Sequence, residues 1–138
     1  MRKTIWVLAG AGVVAAGMAL AGAATDQRIA TMKKIEVRAN LLAEMADGRR
    51  PFDTAEARKA AGALAALAVT VPQEFEPNEP GAKARPEVWS DPDGFAAAAD
   101  RLFVTAQGLD PSSAATVAAG SAAIQGTCTA CHDRYRAP

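Results

Sequence analysis

The stretch DPSSAATVAAGSAAIQGTCTACHDRY, residues 110–135, decides how the rest of the chain is read. Val117, Ser121, Ile124, Cys128, Cys131 and Tyr135 recur at steps of three and four residues, the repeat of one face of an α-helix. Asp110 and Pro111 supply an N-cap and an N1 proline, which predict that this helix starts at about residue 110. The pentad Cys128-Thr129-Ala130-Cys131-His132 continues the inward stripe, so both thiols and the imidazole project from one helix face. Two thiols at this spacing add across the two vinyl groups of a haem while the adjacent imidazole takes the iron. These are the chain's two cysteines and its one histidine, and they point to one covalently attached haem c with His132 as the proximal ligand.

Three further helical segments precede this one, and no alternating β-branched run reads as a strand. The first is expected from about Asp26 to Asp47, with Ile29, Met32, Ile35, Ala39 and Leu42 as its core stripe. Gly48 stands in the C′ position and Pro51 prevents continuation. Asp53 and Glu56 form a capping-box pattern that opens a second helix through about Val69, with Leu64 and Leu67 as its large core contacts and Pro72 closing it. Residues 72–89 hold four prolines and a glycine, and Phe75, Val88 and Trp89 predict a crossover loop held against the other elements. Ser90 or Asp91 caps a third helix with Pro92 in its first turn; Phe95, Ala99, Leu102, Phe103 and Ala106 face inward, and Gly108 ends it. Four helices joined by one long and two short connections predict an all-α, antiparallel four-helix bundle, with the haem near the C-terminus of the fourth helix. Its interfaces are mostly alanine and the whole chain has only seven large aromatics, so a haem filling the bundle matters to stability.

Arg2 and Lys3 precede an uncharged run from Thr4 to about Ala24 that ends in small residues at Ala21, Gly22 and Ala23. This is the pattern of an export leader, predicting a signal peptide over 1–23 and a mature domain over 24–138. A retained membrane helix is the competing reading of the same run. Without Arg2 and Lys3 the chain has 13 basic and 15 acidic residues, a balance that suggests neither nucleic acid nor an anionic membrane surface as partner. Export to the periplasm fits the cysteines, because c-type haem is attached outside the bacterial inner membrane; there a pair without haem risks becoming a disulfide.

The C-x-x-C pair has other uses. A thiol–disulfide exchange pair belongs at a helix N-terminus after a strand, where the helix dipole lowers a thiol pKa. A zinc site needs a fourth ligand from among the carboxylates, and a plain local disulfide leaves His132 unexplained. For the sixth iron position the first helix offers Met32 and Met45, and spacing alone leaves the choice between them open. A thioether ligand would make a six-coordinate electron-transfer centre, whereas ordinary core packing is the commoner fate of a methionine. Arg28 lies one turn before Met32 on the same face, where a guanidinium can pair with a haem propionate. Arg134 and Arg136 suit the negative end of the last helix.

The segment from Cys128 to Arg136 resembles the terminal C-x-x-C-H-x-x-Y-R of the class II c-type cytochromes, cytochrome c′ and its Met-ligated low-spin relatives. Lys83 to Phe95 is similar to that family's entry into the third helix, and Gly48 to Asp53 to its turn between the first two. The resemblance spans essentially the whole mature chain. It implies that Met32, not Met45, occupies the distal position over the iron, and that Arg28 is the helix-one arginine near a propionate. It also implies a periplasmic, non-enzymatic haem protein with redox partner proteins, and a homodimer formed through the first two helices. In the low-spin branch a methionine at the distal position binds iron, giving a single-electron carrier; in cytochromes c′ the position covers a five-coordinate iron that binds NO or CO. Ile29 stands where cytochromes c′ often carry Gln, while Arg28 is more typical of them.

Overall fold

In the computed structural model the backbone is described for residues 14–79 and 81–138, and side chains from residue 22 onward. Local sequence signals set most of the helix ends. Helix α1 (Val14–Ala46) gives way at Gly48, whose φ of +71° is the left-handed conformation that a side chain disfavours. Helix α2 (Thr54–Glu74) starts at Asp53, whose carboxylate accepts the Glu56 N–H at 2.7 Å. After an irregular connection come a single turn, α3 (Glu87–Ser90), and then α4 (Pro92–Gln107), capped by Asp91 with a proline in its first turn. Helix α5 (Ala114–Tyr135) completes the chain.

Three boundaries depart from the sequence expectation, each for a local reason. Helix α2 continues through Pro72 to Glu74, because a proline's fixed φ is helical and only the carbonyl one turn earlier loses its donor. Helix α5 begins at Ala114 instead of about residue 110. Ser113 and Thr116 form a reciprocal capping box there, while Asp110 accepts the Ser112 N–H and hydroxyl, both at 2.9 Å, in the preceding turn. Helix α1 begins well before Asp26, continuous with the described part of the leader. The leader expected over 1–23 otherwise lies outside the described residues. Among the described residues no helix is long and apolar enough to cross a membrane.

The four long helices pack in a ring, α1 on α2, α2 on α4, α4 on α5 and α5 on α1. Arg28, midway along α1, meets Glu74 at the end of α2, while the end of α1 leads by a short turn into the start of α2; the end of α5 meets the start of α4, so neighbours run antiparallel. This is the expected all-α four-helix bundle. Its core is narrow: Leu42, Leu64, Val117 and Ile124 are fully buried, but the buried face of α2 is otherwise mostly alanine. Alanine lets the helices approach closely while removing little apolar surface from water. The expected stripe of α1 is displaced at its start. Arg28 and Thr31 are buried there, and Ile29 is instead 38% exposed.

Two outcomes follow from this core. Leu64→Ala, at a position with no solvent exposure, lowers unfolding stability by about 2–5 kcal/mol in denaturant titration. The haem-free chain, made by replacing both cysteines, melts broadly and with low amplitude by circular dichroism, against a cooperative melt of the haem-loaded protein. A sharp, native-like melt of the haem-free chain would contradict the dependence on haem.

Candidate cofactor site

Where α1, α4 and α5 meet the irregular connection, the small side chains leave a cleft of about 670 Å³. Ile35, Val71, Val88, Phe95, Ala99 and Leu102 make its apolar walls. Lys33, Glu36, Asn40, Lys83 and Arg136 bring polar groups to the same space. Cys128 and Cys131 enter half-buried from α5, both as free thiols, and His132 stands exposed beside them. An apolar slot with a polar rim and two thiols three residues apart suits a flat macrocycle with vinyl groups inside and carboxylates at its edge. Met32, half-buried, lines this cleft. Met45 is packed into the hydrophobic core, 2% exposed, and does not line it.

The electrostatics bear on the competing uses of the cysteines. Burial pushes both thiols above their ordinary value, and the neighbouring Cys128 pushes Cys131 further. Redox-active pairs need the opposite, a lowered thiol pKa, and the nearest approach to a strand among the described residues is one isolated bridge between Ala84 and Arg136. The zinc reading is not supported either, since no group of three or more His, Cys, Asp or Glu among the described residues could hold a metal ion. Desolvation, with Arg136 adding and Asp133 opposing, holds the His132 imidazole below its ordinary value. It is therefore neutral at pH 7, the form that offers a ring nitrogen to a metal.

The end of α5 is anchored to the start of α4 by one carboxylate. Asp91 Oδ1 accepts the Gly94 N–H at 3.3 Å, and its Oδ2 accepts the Tyr135 hydroxyl at 2.7 Å and pairs with Arg134 Nη2 at 2.7 Å. Gly94 is required, because a Cβ there would meet the same Oδ2 and lie 2.6 Å from the Tyr135 hydroxyl. Tyr135 also packs edge-on against Phe95, with centroids 5.2 Å apart. Sequence reasoning placed Asp91 at a helix start but missed its bond to Tyr135, 44 residues away. Only the short Asp-Pro-x-Gly run hinted that a side chain approaches closely there.

Arg28 is buried, 4% exposed, and lines the cleft. Its Nε donates to the Glu74 carbonyl at 3.0 Å, Nη1 to Glu79 at 2.8 Å and Nη2 to Pro77 at 2.7 Å. The guanidinium lies over the Phe75 ring at 4.8 Å and the Trp89 ring at 5.7 Å. Three of its five N–H groups are thus given to backbone carbonyls, and two are left for other partners.

The family model described as cytochrome c′ matches residues 23–136. Cytochrome c-556 of Agrobacterium tumefaciens (strain apple 185) is 33% identical over 83% of this chain and 95% of its own. Cytochrome c′ of Cereibacter sphaeroides is 30% identical over 99% of this chain and 98% of its own. Among solved structures, the nitric oxide complex of a cytochrome c prime mutant from Alcaligenes xylosoxidans shares the fold. Its TM-score is 0.77 at 24% identity, with 86% of this chain and 97% of that one covered.

The Asp91 anchor has a pH signature. The Tyr135 hydrogen bond, helped by Arg134 and the Gly94 N–H, holds the Asp91 carboxyl below its ordinary 3.8 against the opposing effect of burial. A carboxyl depressed in the folded state stabilises only when ionised, so its contribution is full well above pH 3.8 and is lost as pH falls through the lower folded value. Asp91→Asn accordingly lowers the melting temperature at pH 7 and flattens the loss of stability on the acid side. Thermal melts between about pH 2 and 7 test this; parallel acid limbs for the two proteins would refute it.

Proposed function

The chain belongs to the cytochrome c′ family of covalent-haem proteins, and from that premise we propose that it is an exported single-electron carrier whose iron is held by His132 and Met32. The observation that carries this reading is the placement of the two candidate thioethers: Met32 lines the cleft that holds Cys128, Cys131 and His132, whereas Met45 is in the core. When bound through the two cysteines, the haem supplies a one-electron couple, and a thioether opposite an imidazole raises its potential. The protein is a haem carrier, not an enzyme.

The chain's own residues do the rest. His132 is held neutral and presents a ring nitrogen from a helix anchored by Asp91 and Tyr135. Phe95, Ala99 and Leu102 present apolar side chains to the slot, a low-dielectric surrounding for the charge change. The two uncommitted N–H groups of Arg28 are offered to a propionate, and Lys33, Lys83 and Arg136 are further cations at the same cleft. The family match begins at Ala23, which supports residues 1–23 as a leader removed on export to the periplasm. Exposed Val37 on α1, Val69 on α2 and Phe52 between them support a homodimer formed through these helices, besides transient contacts with redox partner proteins.

A second reading keeps the haem but leaves iron five-coordinate beneath Met32, as a binder of NO or CO. It is favoured by the full-length likeness to a cytochrome c′ and by the nitric oxide complex solved for the Alcaligenes protein. The optical spectrum of the purified protein separates the readings. Electron transfer requires a low-spin spectrum with the far-red Met–iron band, while gas binding requires a high-spin one. Met32→Ala should abolish the far-red band and lower the potential. An unchanged spectrum and potential in that variant would remove Met32 from the ligand set.

A further inference from the structure

The connection between α2 and α4 forms one wall of the cleft and is tied at both ends. On the α1 side, Arg28 holds the carbonyls of Glu74, Pro77 and Glu79, and Thr31 donates to Glu74 Oε1 at 3.0 Å. The Trp89 indole N–H closes the same turn onto the Phe75 carbonyl at 2.8 Å. On the α5 side, the Arg85 N–H donates to the Tyr135 carbonyl at 3.0 Å and the Ala137 N–H to the Lys83 carbonyl at 2.8 Å. Ala82, between these ties, holds a φ of +51°, which a non-glycine residue adopts only when its neighbours fix it. The connection therefore runs as a strap from the turn of α1 just before Met32 to the turn of α5 just after His132.

We infer that Arg28 is a positioning residue for Met32, setting its approach to the iron by clamping the turn of α1 before Met32 to this strap. The inference rests on the Met32 reading above. Helix α1 runs unbroken from Val14 past this point, so its distance from the cleft at Met32 depends on what ties this stretch of the helix to its neighbours. Arg28 supplies three hydrogen bonds from a buried, charged group, each stronger than a neutral bond. Met32, one turn on, is only half-buried, packed against the core on one side and open to the cleft on the other. A role confined to propionate pairing would leave the three carbonyl bonds without consequence for Met32.

The test uses the haem-loaded protein with Arg28→Gln, Arg28→Lys and Met32→Ala, and carbon monoxide as the probe of the sixth position on ferrous iron. Carbon monoxide must displace the thioether, so its binding rate reports how firmly Met32 is held. In Arg28→Gln the rate should rise about ten-fold or more, the factor expected from losing one charge-assisted bond. The far-red Met–iron band should weaken, and limited proteolysis should cut faster within residues 75–86. Arg28→Lys, which keeps the charge and part of the bonding, should fall between Gln and wild type. Leu64→Ala serves as a control for general destabilisation and should leave the band and the rate unchanged.

The inference is overturned if Arg28→Gln shifts the potential while the band, rate and cleavage stay as in wild type, since Arg28 then acts on propionate alone. It is equally overturned if Leu64→Ala reproduces the Arg28→Gln spectrum, or if Arg28→Lys is no better than Gln. Met32→Ala isolates the underlying reading: if wild type and Met32→Ala share spectrum and rate, ligation by Met32 fails, and the positioning role fails with it. If Met32→Ala loses the band and Arg28→Gln does not, only the positioning role fails.

Discussion

A shortage of side-chain volume governs this structure. Alanine along α2, α4 and α5 lets four helices close tightly on a few large residues such as Leu42, Leu64 and Ile124. Where Ala39, Ala98 and Ala99 face Ile35, Phe95 and the two cysteines, the same economy leaves the walls too short to meet. A gap of that size between apolar walls would be poorly solvated and poorly packed if left to water. The bundle thus depends on its prosthetic group for packing as much as for chemistry, and the two thioether bonds ensure that the filler cannot leave.

Much of this was legible in the sequence, for identifiable reasons. The helices announced themselves through local signals: Asp53 with Glu56, Pro92 behind Asp91, and Gly48 before Pro51. That Cys128, Cys131 and His132 line one cleft was legible because they are nearly contiguous and helix geometry alone puts them on one face. Errors arose where two local signals competed. Asp110-Pro111 and Ser113 both mark helix starts, and the reciprocal bonds between Ser113 and Thr116 won. Pro72 reads as a stop, yet its fixed φ is helical, and the helix runs on two residues past it at the cost of one carbonyl left without its donor.

What local patterns could not show were partners brought together by the fold. Arg28 reads as a cation near a helix start, one that solvent or a propionate would satisfy. Its burial against three carbonyls of the α2–α4 connection follows from that connection's path, which no periodicity encodes. The same holds for the choice between Met32 and Met45. They lie more than three turns apart on one helix, and the difference between them is that α1 faces the cleft at one and the packed core at the other. The resemblance to a known family pointed to Met32 where spacing did not.

The carboxylate of Asp91 caps a helix, accepts a phenol and pairs with a guanidinium, and Gly94 beneath it has no room for even a methyl group. Such sharing makes the positions interdependent across generations of sequence change. A replacement of Asp91, Gly94 or Tyr135 alone leaves its partners mismatched, so the effects of substitutions here will not add. Viable alternatives lie several simultaneous changes away, across intermediates of lower stability. Drift should accordingly be slow at this corner of the bundle and faster on the exposed alanines of α5, where a side chain answers to nothing but solvent.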